Sequence, residues 1–410
     1  MQWIKEIPSH WEKKKMKYCF SERSEKNHPD EPVLCATQSQ GVIPQSMYAN
    51  RVVVVNKGFE GLKLVKEGDF VISLRSFEGG IEYAYFQGII SAAYTVLQPN
   101  NPHFSDYWRY LFKSQPYIQL LQMCVTGIRE GQNINYPMLS RAFIPVPPLA
   151  EQKKIVDFLD SNAVKIDTYV EDKKREIELL EELKQKTIAD AVTKGLNPDV
   201  TKKDSGISWL GMIPENWETK RIASLFTGKV KANSDFEYHH AFKFYYGTLV
   251  PKEETGDIEE YRDTYVKYSV LQKDDIMING LNLNYDFVSQ RVAIAPSDGI
   301  ITSAYVVVRP RIGTNAQYYN YLFKTMDNMK LFHGMGTGIR LTLSFDELKK
   351  QLVVVPPQDE QQSIVTYIEE KCQKIDTLIN DLKTEIVSLK EYKQRLIADV
   401  VTGQVNVQNL

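Results

Sequence analysis

The chain has 410 residues, 43% of them hydrophobic and 25% charged, with a formal net charge of −2. That is room for two or more domains with cores of their own, and it excludes a disordered, collagenous or strongly basic chain. Lys5 and Glu6 interrupt any apolar run at the start, no later run is long and apolar enough to cross a membrane, and Cys19, Cys35, Cys124 and Cys372 lack CxxC spacing. The expectation is a cytoplasmic protein with free, partly buried thiols, no metal and no membrane association.

Residues 1–148 open with WIKEIPSHWEKKKMKYCF and are the one net-positive block, with 16 Lys and Arg against 13 acids, so any phosphate contact has to come from local patches. Lys13–Lys15 is read as a solvated face that can also touch phosphate. VVVV at 52–55 and FVIS at 70–73 predict strands, and Tyr107–Cys124 predicts a helical stretch. SLRSFEGG (73–80) is a polar loop straight after a strand and carries Arg75 and Ser76. TGIREGQNIN (126–135) sets a glycine beside Arg129 and follows it with Gln132, Asn133 and Asn135. Arginine pairs bidentately with guanine and Asn or Gln with adenine, which makes these residues candidates for reading bases. The alternative is a turn before the last strand, with Arg129 merely solvated.

Pro147–Pro148 then introduces a helix over 149–194. Apolar residues at Ile155, Phe158, Leu159, Ile166, Tyr169, Val170, Ile177, Leu180, Ile188 and Val192 keep spacings of three and four, and no Gly or Pro interrupts them before Gly195. About 45 residues at ~1.5 Å rise make a rod of roughly 65 Å. The heavily charged outer face makes it a coiled-coil partner, with Asn162 and Lys173 as imperfections of the seam. A linker spans 195–208, a second module 209–357, a second helix 358–403 and a short tail 404–410. The second module again mixes strands (IMIN at 276–279, AYVVVRP at 304–310) with a helical stretch, Ala316–Phe332. Its polar loops are NGLNLNY (279–285), with Asn279, Asn282 and Asn284, and TGIRLTLS (337–344), with Arg340, Thr342 and Ser344. The second helix repeats the stripe at Ile364, Ile368, Ile375, Leu382, Leu389 and Leu396.

The two halves are one pattern written twice. Trp3, Ile7, Pro8, Trp11 and Phe20 recur 206 residues later as Trp209, Ile213, Pro214, Trp217 and Phe226; YLFK and TGIR recur at 211, and the PPxxEQ run at 209. Between Glu151–Thr193 and Glu360–Thr402, 21 of 43 positions are identical, whereas the modules share only scattered blocks. The fold class expected is α+β, with two globular modules joined by two long antiparallel helices in a coiled coil and an internal pseudo-two-fold. Read as a circle, the tail at the C-terminus leads back towards Trp3 as Thr193 leads towards Trp209.

No catalytic residues emerge. There is no GxxxxGK[ST] loop or HExxH, and GMGTG at 334–338 lacks the spacing, strand and acid of a dinucleotide site. NINYPM and NLNYDF lack the double proline of an adenine-methyltransferase motif. Two other classes stay open as alternatives: a stand-alone DNA methyltransferase or nuclease with a duplicated accessory region, and a coiled-coil scaffold that does not bind DNA.

Taken together, WLGMIPENW with its twin WIKEIPSHW, EGDFVIS, TGIR, PPLAEQKKI with PPQDEQQSI, and LKQKTIADAVTKG with YKQRLIADVVTGQ resemble the specificity subunit of type I restriction–modification enzymes, over essentially the whole chain. WIKEIP departs from that pattern in lacking the glycine of WLGMIP, and Asp274 stands where the first copy has Gly68. The resemblance implies two target-recognition domains, each reading one part of a bipartite double-stranded DNA site across a gap set by the helices. It implies a non-catalytic subunit binding no cofactor itself. Two methyltransferase subunits with S-adenosylmethionine, and in the full enzyme two restriction subunits with ATP and Mg, would be its partners. Ile155, Leu159, Ile166, Ile177, Leu180, Ile364, Ile368, Ile375, Leu382, Leu389 and Leu396 would then form part of the docking surface for the methyltransferase subunits.

Overall fold

The computed structural model describes residues 3–4, 6–49, 58–101, 105–127, 133–228, 230–284, 290–339 and 341–407. Two compact units emerge: Met1–Lys174 with Leu382–Leu410, and Arg175–Asp381. Each unit therefore takes one module and a stretch of both long helices. No helix among the described residues is long and apolar enough to cross a membrane.

Both modules are built on the same frame, an antiparallel four-stranded sheet. In the first unit the order is Phe20–Arg23, Thr95–Pro99, Phe70–Ile72, Glu82–Tyr83; in the second it is Phe226–Thr227, Val306–Pro310, Ile276–Ile278, Val292–Ile294. The strands Phe70–Ile72 and Ile276–Ile278 are buried at every residue, which is why they read as unbroken apolar runs. Three further hairpin or ribbon pairs match between the modules, among them Glu12–Lys15 with Phe143–Val146 and Glu218–Arg221 with Leu352–Val355. The turn before each central strand is also kept. Gly68 stands there at φ 86° and Asp274 at φ 70°, a left-handed conformation that Asp tolerates better than most side chains. The next residue, Asp69 or Asp275, is buried, and its carboxylate accepts from the backbone N–H of Lys66 or Gln272. An arginine neutralises it from different strands: Arg23 in the first module, Arg309 in the second. A buried carboxylate has to be paired, and the two copies meet that requirement by separate routes.

The long helices run Leu149–Lys194 and Gln358–Val401. Their PPxxEQ openings have a local reason: Gln152 and Gln361 fold back to donate to the carbonyls of Pro147 and Pro356 at 2.7 and 2.8 Å. In the first unit the helices lie antiparallel, with Asp167 on Lys393 and Lys173 on Glu385; in the second Lys184 meets Asp376. Exposed pairs of this kind contribute about 0–1 kcal/mol each, so they record the register more than they hold it. The hold comes from the module cores. Ile155, Leu159, Val400 and Val401 pack among Phe20, Phe70, Trp108 and Phe112, and Ile188, Val192, Ile364 and Ile368 among Trp217, Phe226, Tyr319 and Phe323.

The end of each helix is received by the module that follows it on the circle. Tyr107 donates its hydroxyl to Val401 O at 2.8 Å, and its counterpart Tyr318 donates to Val192 O at 2.8 Å. A Cβ on Gly403 would lie 2.3 Å from Pro8 and 3.2 Å from Trp11; one on Gly195 would lie 3.2 Å from Trp217 and 3.7 Å from Pro214. Both glycines have positive φ, so the chain leaves each helix in a turn closed over by the IPxxW segment. Gln404 adds a bond to Glu6 O at 2.8 Å.

Three expectations change. Tyr107–Cys124 is two helices, Ser105–Leu111 and Gln115–Met123, because Pro116 begins a new helix rather than continuing one. The second stretch ends its helix at Asn328 and passes through Lys330 at φ 59° into a short 3-10 turn. The segment 195–208 is partly structured: Lys202–Asp204 pairs with Met212–Pro214 and Ile207 is buried. The run at 52–55 and Lys5, which stands where the second copy has Gly211, lie outside the described residues.

Candidate nucleic-acid interface

In the second unit the two candidate loops form one surface. Leu343 N–H donates to Gly280 O at 2.9 Å and Leu283 N–H to Leu341 O at 3.2 Å, while the Asn284 amide reaches Ile339 O at 3.4 Å. Gly280 and Gly336 allow this approach, since a Cβ would meet Leu343 O at 2.6 Å or Leu341 C at 2.8 Å. Thr337 and Thr342 exchange backbone bonds, closing a hairpin whose tip carries Ile339 at 98% exposure. In the first unit the short helix Ser76–Gly79, in the SLRSFEGG loop, packs on the strand Asn133–Ile134, which ends the TGIREGQNIN segment.

Within these surfaces the candidates divide. Arg75, Asn133, Asn282, Thr342 and Ser344 are exposed and free to face a ligand. Ser76 is not: it is 1% exposed and its hydroxyl accepts from Ser73 N–H at 2.8 Å, so it shapes the turn. Asn135 caps Tyr136–Leu139 by accepting from Met138 N–H, and Asn279 accepts from Leu281 N–H. These local bonds are the usual occupation of such side chains and take both residues' carbonyl oxygens away from base reading. Asn284 is half-buried with its amide spent on Ile339. Arg129, Gln132 and Arg340 lie outside the described residues.

The loops also have supports that motif reading does not find. Lys113, from the repeated YLFK, donates to Gly79 O at 3.0 Å and to Glu82 at 2.6 Å. Glu82 is 2% exposed, and burial lifts its carboxyl to about 7 against the pull of Lys113. In the second unit Arg291, 1% exposed, donates to the carbonyls of Asn279, Leu281 and Asn282. Its backbone N–H goes to Asp327, whose carboxyl burial also pushes up. The visible signal is a lone arginine heading the apolar run VAIA.

The docking candidates need correction too. Ile155, Leu159, Ile166, Ile364, Ile368, Ile375 and Leu382 are buried, and Ile177, Leu180, Leu389 and Leu396 are half-buried. The stripe that betrays the helices is consumed inside the units, so the buried members offer nothing to a partner. Leu149, Val164, Tyr169, Leu179, Leu183, Leu378 and Val387 are the large apolar side chains of the helices left at least half exposed.

Two modules on one frame, differing in their loops, match a known pattern: the family model described as "Type I restriction modification DNA specificity domain" fits residues 6–179 and again 214–388. The chain belongs to this family. Type I specificity chains similar to it include the MjaVIII specificity subunit of Methanocaldococcus jannaschii, 24% identical over 85% of this chain and 81% of that one. The EcoKI specificity subunit of Escherichia coli K12 is 22% identical over 84% and 78%. Among solved structures, a chain of a type I R-M system aligns with TM-score 0.66 at 15% identity, covering 98% of this chain and all of that one. The HsdS subunit of Thermoanaerobacter tengcongensis aligns at 0.54 with 16% identity, over 98% of both chains. These structures share the fold, and the type I specificity subunit is a recognition chain rather than an enzyme.

Proposed function

We propose that this specificity subunit reads a bipartite, asymmetric site on double-stranded DNA, one part with each module, in the cytoplasm. The observation that carries the reading is the pairing of a constant frame with divergent loops. Strand order, buried Asp, helix openings and helix ends coincide in the two units, whereas the loops at 73–80 and 279–284 differ in sequence and conformation. Exposed Asn133 and Asn282 offer the donor and acceptor pair that suits adenine; exposed Arg75 suits guanine or a phosphate. The paired helices set the unread gap. Recognition elements on one face of the duplex are spaced by about one helical turn, roughly 34 Å, or its multiples.

Chemistry belongs to the partners: two methyltransferase subunits supplying S-adenosylmethionine, and two restriction subunits supplying ATP and Mg. The exposed apolar positions of the helices, Val164, Tyr169, Leu179 and Leu183 among them, are the docking points. Methylome sequencing of the host tests the reading. A bipartite methylated motif should be present and should vanish on deletion of this gene; a motif that persists, or one without a gap, refutes it.

A further inference from the structure

We propose that Arg291 and Lys113 are the positioning residues of the two reading loops, each fixing the base preference of its own module; this rests on the bipartite reading above. The Arg291 guanidinium is buried and donates to three carbonyls of one loop, Asn279 at 2.9 Å, Leu281 at 2.8 Å and Asn282 at 3.4 Å. Asn282 stands at φ 50° and faces solvent, so the arginine holds a left-handed turn whose side chain is presented outward. Loop carbonyls outside a strand ladder need partners, and charge-assisted bonds are the strong ones.

The register of the repeat makes Gly80 the counterpart of Arg291. No side chain fits there. Gly80 has φ 89°, and a Cβ would lie 2.3 Å from Phe112 O and 3.1 Å from the Lys113 side chain. The cation comes instead from Lys113, which crosses Gly80 to reach Gly79 O at 3.0 Å and Gln38 O at 3.2 Å, with Glu82 as its counter-charge at 2.6 Å. In the second module the counterparts of Lys113 and Glu82 are Lys324 and Ala293, so the carboxylate of Glu82 is not repeated at that position, and Arg291 does the pinning. One task is thus solved from two different positions, each inside its own module.

The test is methylome sequencing of hosts carrying Arg291→Gln, Arg291→Lys or Lys113→Gln, with melting curves of the purified complexes. Arg291→Gln should relax one half of the motif, raising methylation of sites with one wrong base there by about tenfold. Lys113→Gln should relax the other half to a similar degree. Arg291→Lys, a cation without the planar fork, should fall between Gln and wild type. The inference is overturned if neither half relaxes, if both relax together, or if the two substitutions relax the same half. Loss of all methylation together with the fold would make the residue a core group only and would equally overturn its assignment. A wild-type host with no bipartite motif would instead overturn the functional reading beneath it.

Discussion

Glu82 places a buried, titrating carboxyl behind the first reading loop, and its protonation should be visible in stability. Burial raises its carboxyl from 4.5 to about 7, with Lys113 opposing. Between those values the folded chain holds a proton that the unfolded chain has released. The stabilisation is therefore fully present below about pH 4.5 and is lost as pH rises through about 7, to a total on the order of 3 kcal/mol. Glu82→Gln is neutral throughout, so wild type should lose stability relative to it between about pH 4.5 and about pH 7, read by urea unfolding. A difference that does not change with pH would remove Glu82 as the titrating group. Such a pair is invisible in sequence, because Glu82 and Lys113 meet only through the sheet and the helix behind it. The same blindness affects the candidate readers. Ser76, Asn135 and Asn279 look identical to Asn133 and Asn282 until backbone geometry shows which side chains are already bonded to their own turns.

The helices were the most legible elements, since spacings of three and four over more than three heptads have no other economical explanation. Their partners were less so. The same stripe that announced a coiled coil also enters two module cores, and a one-dimensional pattern does not say what covers an apolar face. The break at Phe112–Ser114 is not legible in the sequence, because Pro116 fits the first turn of a helix as well as it ends one. Both helices run unbroken through the boundary between the units, which falls after Lys174 in one and after Asp381 in the other. Four residues inserted at each of those points leave every contact internal to a unit in place. They add about one turn, ~6 Å, which is roughly two base pairs of duplex. The methylated motif should keep both halves and gain about two base pairs of gap; an unchanged gap would separate the helices from the spacing.

At the scale of the whole molecule, the circular order decides what can be exchanged. The first module is closed not by the helix that follows it alone but also by the last turn of the second helix, through Tyr107 on Val401, Gln404 on Glu6 and the contact of Gly403 with Pro8 and Trp11. The second module receives the end of the first helix through Tyr318 on Val192 and through Gly195 beside Trp217. The receiving residues recur at matching places in both modules, so a foreign module that keeps them should dock on these helices without redesign. Replacing residues 1–148 with the corresponding module of another family member that retains the Pro8, Trp11 and Tyr107 equivalents should therefore change one half of the methylated motif. The other half and the gap should stay as they were, because nothing in Arg175–Asp381 has been altered. Changes in both halves would mean that the modules do not read independently, and the one-module, one-half reading would fall even with the fold intact.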